Sequence, residues 1–123
     1  MSNTFNSLKS KALVPFITSG YPTHARCADY IAAFLRGGAD VIELGVPFSD
    51  PLADGPVIQA TSFKALKNGA TVESTLALVR KFPEGRFVLM SYLNPLLAYG
   101  LAQFFRDAHD AGVAGVIPVD LIP

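Results

Sequence analysis

The chain has a single cysteine, no tryptophan and no excess of either charge. With Cys27 alone, an internal disulfide is impossible and a metal site built on several thiolates is excluded. This composition suits a reducing compartment. Ten basic residues balance ten acidic ones, and no block of like charge appears. That balance points away from nucleic acid and anionic membrane surfaces as partners. No stretch approaches the roughly 20 apolar residues that a membrane-spanning helix needs. Met1 to Ser10 is polar, without the apolar run of a signal peptide. A cytoplasmic protein is expected.

Half of the 123 residues are hydrophobic, enough for a substantial core in one domain over residues 1–123 and too many for a disordered chain. Short apolar runs alternate with segments of helical period. Ala12–Thr18 reads as a strand that ends at Ser19-Gly20-Tyr21-Pro22. Thr23 is a plausible helix N-cap, because a threonine oxygen can accept an orphan N–H of the first turn. Cys27, Tyr30, Ile31, Phe34 and Leu35 then recur at spacings of three and four, one apolar helix face that Gly37-Gly38 stops. Asp40–Gly45 is a second strand. Val57–Lys67 and Thr71–Phe82 read as helices, and Phe87–Tyr92 as the third strand. Asn94-Pro95 starts a short turn or helix, Leu101–Ala111 is the next helix, and Gly112 and Gly115 lead into a fourth strand, Val116–Leu121. Strands alternating with helices imply right-handed crossovers and a parallel α/β sheet. The nearly continuous hydrophobicity of the strands agrees. The pattern alone does not separate a barrel from an open doubly wound sheet.

Two features could carry chemistry. Glu43 interrupts the apolar strand Val41-Ile42-Glu43-Leu44-Gly45 near its C-terminal end. Active sites of parallel α/β folds lie at those ends, and a desolvated carboxylate there is suited to proton transfer near neutral pH. The residues equally allow a Glu that points outward or pairs with a lysine. The second feature is the loop Pro47–Pro56, whose prolines restrict the backbone around Asp50 and Asp54. Either acid could partner Glu43, or both could be ordinary turn formers. His24 and His109 complete no metal-ligand set. Cys27 reads as core, and Ser91 and Tyr92 as pocket-lining or packing residues at a strand end. Phe104 and Phe105 belong to a helix that must pack on the sheet. No dinucleotide-binding, Walker-type or nucleophile-elbow motif is present.

Taken together, Leu13–Pro22, Gly37–Pro56 with Ile58-Gln59, and Met90-Ser91-Tyr92-Leu93-Asn94-Pro95 with Tyr99-Gly100 resemble the tryptophan synthase α chain family. The resemblance runs from about residue 12 to the end. It implies a TIM (β/α)₈ barrel, here its first half with about four βα units and parallel strands. It implies that Glu43 is the general acid/base that protonates the indole ring carbon, and that Asp54 hydrogen-bonds the indole N–H. Phe16, Ile58, Met90 and Tyr92 would line or adjoin the indole pocket. Asp120 is similar to the family's aspartate after the fourth strand. The implied reaction is retro-aldol cleavage of indole-3-glycerol phosphate to indole and glyceraldehyde 3-phosphate. No cofactor is expected on this chain; pyridoxal phosphate would belong to a β-subunit partner that the Ser49–Pro56 loop faces. A complete barrel takes about 250 residues, with phosphate held by loops after strands seven and eight. A half-barrel is therefore expected to be weakly active or inactive and to self-associate through its open edges. The alternative is a non-catalytic half-barrel that binds the β subunit.

Overall fold

The computed structural model describes residues 4–8 and 11–122; the remaining positions of the Met1–Ser10 segment and Pro123 lie outside the described residues. After a 3-10 turn over Thr4–Ser7, the elements are β1 (Phe16–Thr18), α1 (His24–Arg36), β2 (Ile42–Gly45), α2 (Pro56–Lys67), α3 (Val72–Arg80), β3 (Phe87–Ser91), α4 (Leu93–Tyr99), α5 (Leu101–Ala111) and β4 (Val113–Pro118).

Local chemistry sets most of these boundaries. Thr23 caps α1 through a 3.1 Å bond from the Arg26 N–H to its hydroxyl. Thr71 and Ser74 form a reciprocal capping box at the start of α3. Pro56 opens α2, where a missing N–H costs nothing. Pro95 falls in the first turn of α4 for the same reason, so the expected short turn or helix is a helix.

The strands form one parallel sheet in the order β1-β2-β3-β4. This sequential order has no switch point, the feature that marks an open doubly wound sheet. Alternation along the strands separates two faces. Ile17, Ile42, Leu44, Phe87 and Leu89 join Cys27, Ile31, Leu76, Val79 and Phe104 of the helices in one buried core. On the other face, Phe16, Glu43 and Val88 stand level with one another, and Thr18, Gly45 and Met90 form the next row toward the strand C-terminal ends. Helices on one face of a singly wound parallel sheet are the arrangement of a barrel segment, as expected.

The first strand is shorter than its apolar run. Pro15 has no N–H to give a ladder, so residues 12–15 contribute mainly acceptors: the Leu13 carbonyl takes the Asp40 N–H and the Pro15 carbonyl takes the Glu43 N–H, both at 2.9 Å. The fourth strand is displaced from the expected Val116–Leu121. Gly112, with φ of 92°, turns the chain directly out of α5, so pairing starts at Val113. Gly115 lies inside β4 beside a register shift opposite Phe87 and Val88. Tyr92, expected in β3, is the N-cap of α4.

Candidate functional site

The C-terminal ends of β1, β2 and β3 open toward the loop between β2 and α2. Phe16, Asp54, Ile58, Met90 and Tyr92 line one narrow cavity there, joined by Thr18, Gly45 and Ser91 among others. All the candidate residues except Glu43 are therefore brought together. Gly45 is required by the Phe16 ring: a Cβ at Gly45 would lie 2.8 Å from Phe16 Cζ.

Glu43 lies in an adjoining apolar cavity on the same face, with Val14, Val41, Val88 and Ile117. Phe16, which lines the first cavity, stands level with Glu43 in the register. This face assignment removes the outward-facing alternative. The Glu43 carboxylate makes no ion pair among the described residues, since the ion pair found there joins His109 and Asp110. It is half-buried, so its desolvation in this chain is partial.

The Asp54 carboxylate is held by a residue far away in sequence. The buried Tyr92 hydroxyl donates to Asp54 Oδ2 at 3.0 Å and accepts the Ala53 N–H at 3.0 Å. The Tyr92 ring packs on Phe48, with centroids 5.3 Å apart. Gln59 Nε2 donates to the Asp54 carbonyl at 2.8 Å. Burial raises the Tyr92 phenol pKa, and the bond to Asp54 raises it further. Asp50, the other acid of the loop, is exposed and accepts the Ser49 hydroxyl at 2.9 Å. It has no part in the cavity.

Gln59 and Phe48 hold the site, and reasoning from sequence assigned neither a role. Their only signal was membership of the resembling stretch. Thr18 is also buried in the cavity, its hydroxyl 2.7 Å from that of Thr61.

The remaining candidates stay apart. His24 Nε2 lies 2.9 Å from the Asn68 carbonyl, and Asn68 in turn donates to the Gly20 and Pro22 carbonyls, a tie between α1 and the end of α2. His109 is exposed on α5. Cys27 is fully buried, which pushes its thiol pKa up. Ser91 is the exception, since it lines the cavity beside Tyr92 and donates to the Tyr92 carbonyl. The helix of Phe104 and Phe105 packs on the sheet as expected, through Phe104 in the core, while Phe105 is exposed beside an apolar groove between α4, α5 and β4. Asp120 accepts the Leu93 N–H at 2.7 Å, a tie from the end of β4 to α4. Among the described residues no cluster of His, Cys, Asp or Glu could hold a metal, and no helix is long and apolar enough to cross a membrane.

A one-sided, sequentially wound parallel sheet with a carboxylate and a cavity at its strand C-terminal ends is the arrangement of part of a (β/α)₈ barrel, a fold whose enzymes place their active sites at that end. The family model for the tryptophan synthase alpha chain matches residues 3–123, and the chain belongs to that family, whose members are lyases. Similar proteins include the tryptophan synthase alpha chain of Burkholderia cenocepacia, 52% identical over 92% of this chain and 43% of the relative. That of Paraburkholderia phytofirmans is 47% identical, over all of this chain and 48% of the relative. Among solved structures, tryptophan synthase from M. tuberculosis in its aminoacrylate-bound form superposes with a TM-score of 0.91 at 41% identity, over 98% of this chain and 51% of that one. The alpha subunit from Legionella pneumophila gives 0.89 at 40% identity, over 96% and 48%. The chain thus spans about half the length of the relatives it matches.

Proposed function

We propose that this chain carries the two catalytic carboxylates of the tryptophan synthase α reaction, retro-aldol cleavage of indole-3-glycerol phosphate. The observation that supports it is Asp54 held by Tyr92 beside a narrow cavity lined by Phe16, Ile58 and Met90, the one acid among its lining residues. A ring with one N–H donor would find a single carboxylate there beside aromatic and apolar side chains. In this reading Asp54 accepts the indole N–H and stabilises the ring as it gains positive charge. Glu43, from the adjoining cavity, delivers a proton to the ring carbon that bears the side chain. Loss of the glycerol hydroxyl proton then breaks the C–C bond, restores the aromatic ring and leaves glyceraldehyde 3-phosphate. The step needs no cofactor on this chain, with pyridoxal phosphate assigned to the β subunit, and it fits a cytoplasmic biosynthetic enzyme.

Phosphate in such barrels is held by loops after the seventh and eighth strands, which have no counterpart in the four strands described. Remote binding energy of that kind is normally spent on turnover. The chain by itself is therefore expected to cleave the substrate weakly or not at all.

A second reading, a half-barrel that binds the β subunit without catalysis, is favoured by one surface. Leu52, Val57 and Phe63 are 90%, 74% and 62% exposed along the loop and α2. Exposed large apolar side chains are candidate contacts for a partner. The partner is then the tryptophan synthase β subunit, with a heterotetramer as the complete assembly. Indole release by the chain, with Glu43→Gln as control, separates the readings. Saturable release that Glu43→Gln lowers by at least about 100-fold supports catalysis. No release by either form, with β-subunit binding retained, supports the binding module.

A further inference from the structure

We propose that Tyr92 is a positioning residue that presents one chosen oxygen of Asp54 to a heteroaromatic N–H donor while it clamps the loop that carries Asp54; this rests on the reading of Asp54 given above. A phenol has one proton to donate and lone pairs to accept with. In Tyr92 the proton goes to Asp54 Oδ2 and a lone pair takes the Ala53 N–H, each at 3.0 Å. Asp54 Oδ1 accepts no hydrogen bond among the described residues and is left as the acceptor for a ligand. The Tyr92 ring meets Phe48, so one side chain contacts the loop both before Ser49 and at Ala53-Asp54.

The backbone of Asp54 is fixed independently. Its N–H reaches the Pro51 carbonyl at 3.1 Å, and its own carbonyl takes the Gln59 amide at 2.8 Å. What Tyr92 adds is the orientation of the carboxylate. Without it, a half-exposed aspartate would have to be ordered when the ligand binds, and that ordering would weaken binding. Tyr92 itself is 6% exposed at the junction of β3 and α4, so the clamp is set on a buried position outside the loop.

Tyr92→Phe tests this, because it keeps the ring against Phe48 and removes one oxygen. The chain contains no tryptophan, so the fluorescence of added indole is followed without a protein indole background. The wild-type chain is expected to bind indole more tightly than 1-methylindole, which has no N–H. Tyr92→Phe should speed amide exchange at Ala53 by about tenfold and weaken indole, but not 1-methylindole, by a similar factor. Asp54→Asn should move the Tyr92 ionisation, isolated as the absorbance difference from Tyr92→Phe, to lower pH, a change that a packing role would not produce. Unchanged Ala53 exchange and an unchanged ratio of indole to 1-methylindole binding in Tyr92→Phe would overturn the positioning role and leave the reading of Asp54 standing. If wild type binds both probes equally or neither while Ala53 is protected, the N–H assignment of Asp54 fails, and the positioning proposal falls with it.

Discussion

β2 and β4 are both short apolar strands of one parallel sheet, yet their surroundings differ. β2 lies between β1 and β3, and its Ile42 and Leu44 are fully buried. β4 has a single neighbour among the described residues, and Ile117, near its end, is 43% exposed. Leu121, just past that end, is 55% exposed. Hydrophobicity does not produce this contrast, since β4, with two valines and an isoleucine, is at least as apolar as β2, which carries Glu43. A parallel strand is covered by what lies beside and above it, and among the described residues β4 has a neighbouring strand on one side only. The candidate residues belong to the covered side: Phe16, Glu43, Asp54, Ile58, Met90 and Tyr92 come from β1, β2, β3, α2 and the connections next to them. β4 adds only wall residues such as Ile117.

The largest effect expected from this contrast is in core truncation. Leu44→Ala should cost about 3 kcal/mol in urea unfolding, because the cavity it leaves is enclosed on every side. Val116→Ala on the half-covered β4 should cost less than about 1.5 kcal/mol. Equal losses would break the comparison.

A smaller effect separates two glycines. Gly45→Ala drives a methyl to 2.8 Å from the Phe16 ring and should cost about 1–2 kcal/mol, with Phe16 pushed into the cavity. At Gly115 the nearest atom to a new Cβ is Val88 Cγ2 at 3.8 Å, an ordinary contact. Gly115→Ala should therefore be neutral or stabilising by up to about 1 kcal/mol. Thermal unfolding of the pair sharpens the contrast, and a Gly115→Ala as costly as Gly45→Ala would contradict it.

The smallest effect concerns the polar tie between α4 and α5. The Tyr99 hydroxyl donates to Asp107 Oδ2 at 2.5 Å, and Gln103 donates to Oδ1. The Tyr99 bond is the main reason the Asp107 pKa lies below its ordinary value, and the same bond raises the Tyr99 phenol pKa. A carboxylate with a depressed folded pKa stabilises the fold above its unfolded pKa of about 4 and loses that contribution as pH falls through the folded value. Tyr99→Phe should therefore be destabilised relative to wild type at pH 7, and the gap should close on acidification below about pH 4. A gap that persists at pH 2 would show that packing, not the charge, is responsible.

Much of the architecture was legible because period is a local property. The helix after Thr23 follows from spacings of three and four and a cap within a few residues. Strand ends were less legible. Two glycines stand near the start of β4, and composition cannot say that Gly112 takes the left-handed turn while Gly115 stays in the ladder. The site divides in the same way. Phe16, Asp54, Ile58, Met90 and Tyr92 were named together through a resemblance, and the fold brings them to one cavity. Between Asp50 and Asp54, however, the residues alone gave no choice. The decision rests on a hydroxyl 38 positions away in sequence.

The sequence by itself determined the elements, their parallel order and the family, because apolar period, caps and turn residues act over a few positions. Only the tertiary structure decided which face Glu43 occupies. Valine, isoleucine and leucine flank it on both sides, so hydrophobicity is silent there and register with Phe16 and Val88 settles it. The tertiary structure also decided which loop acid is held. A hydrogen bond needs its partners within about 3 Å, and no local pattern brings Tyr92 to Asp54.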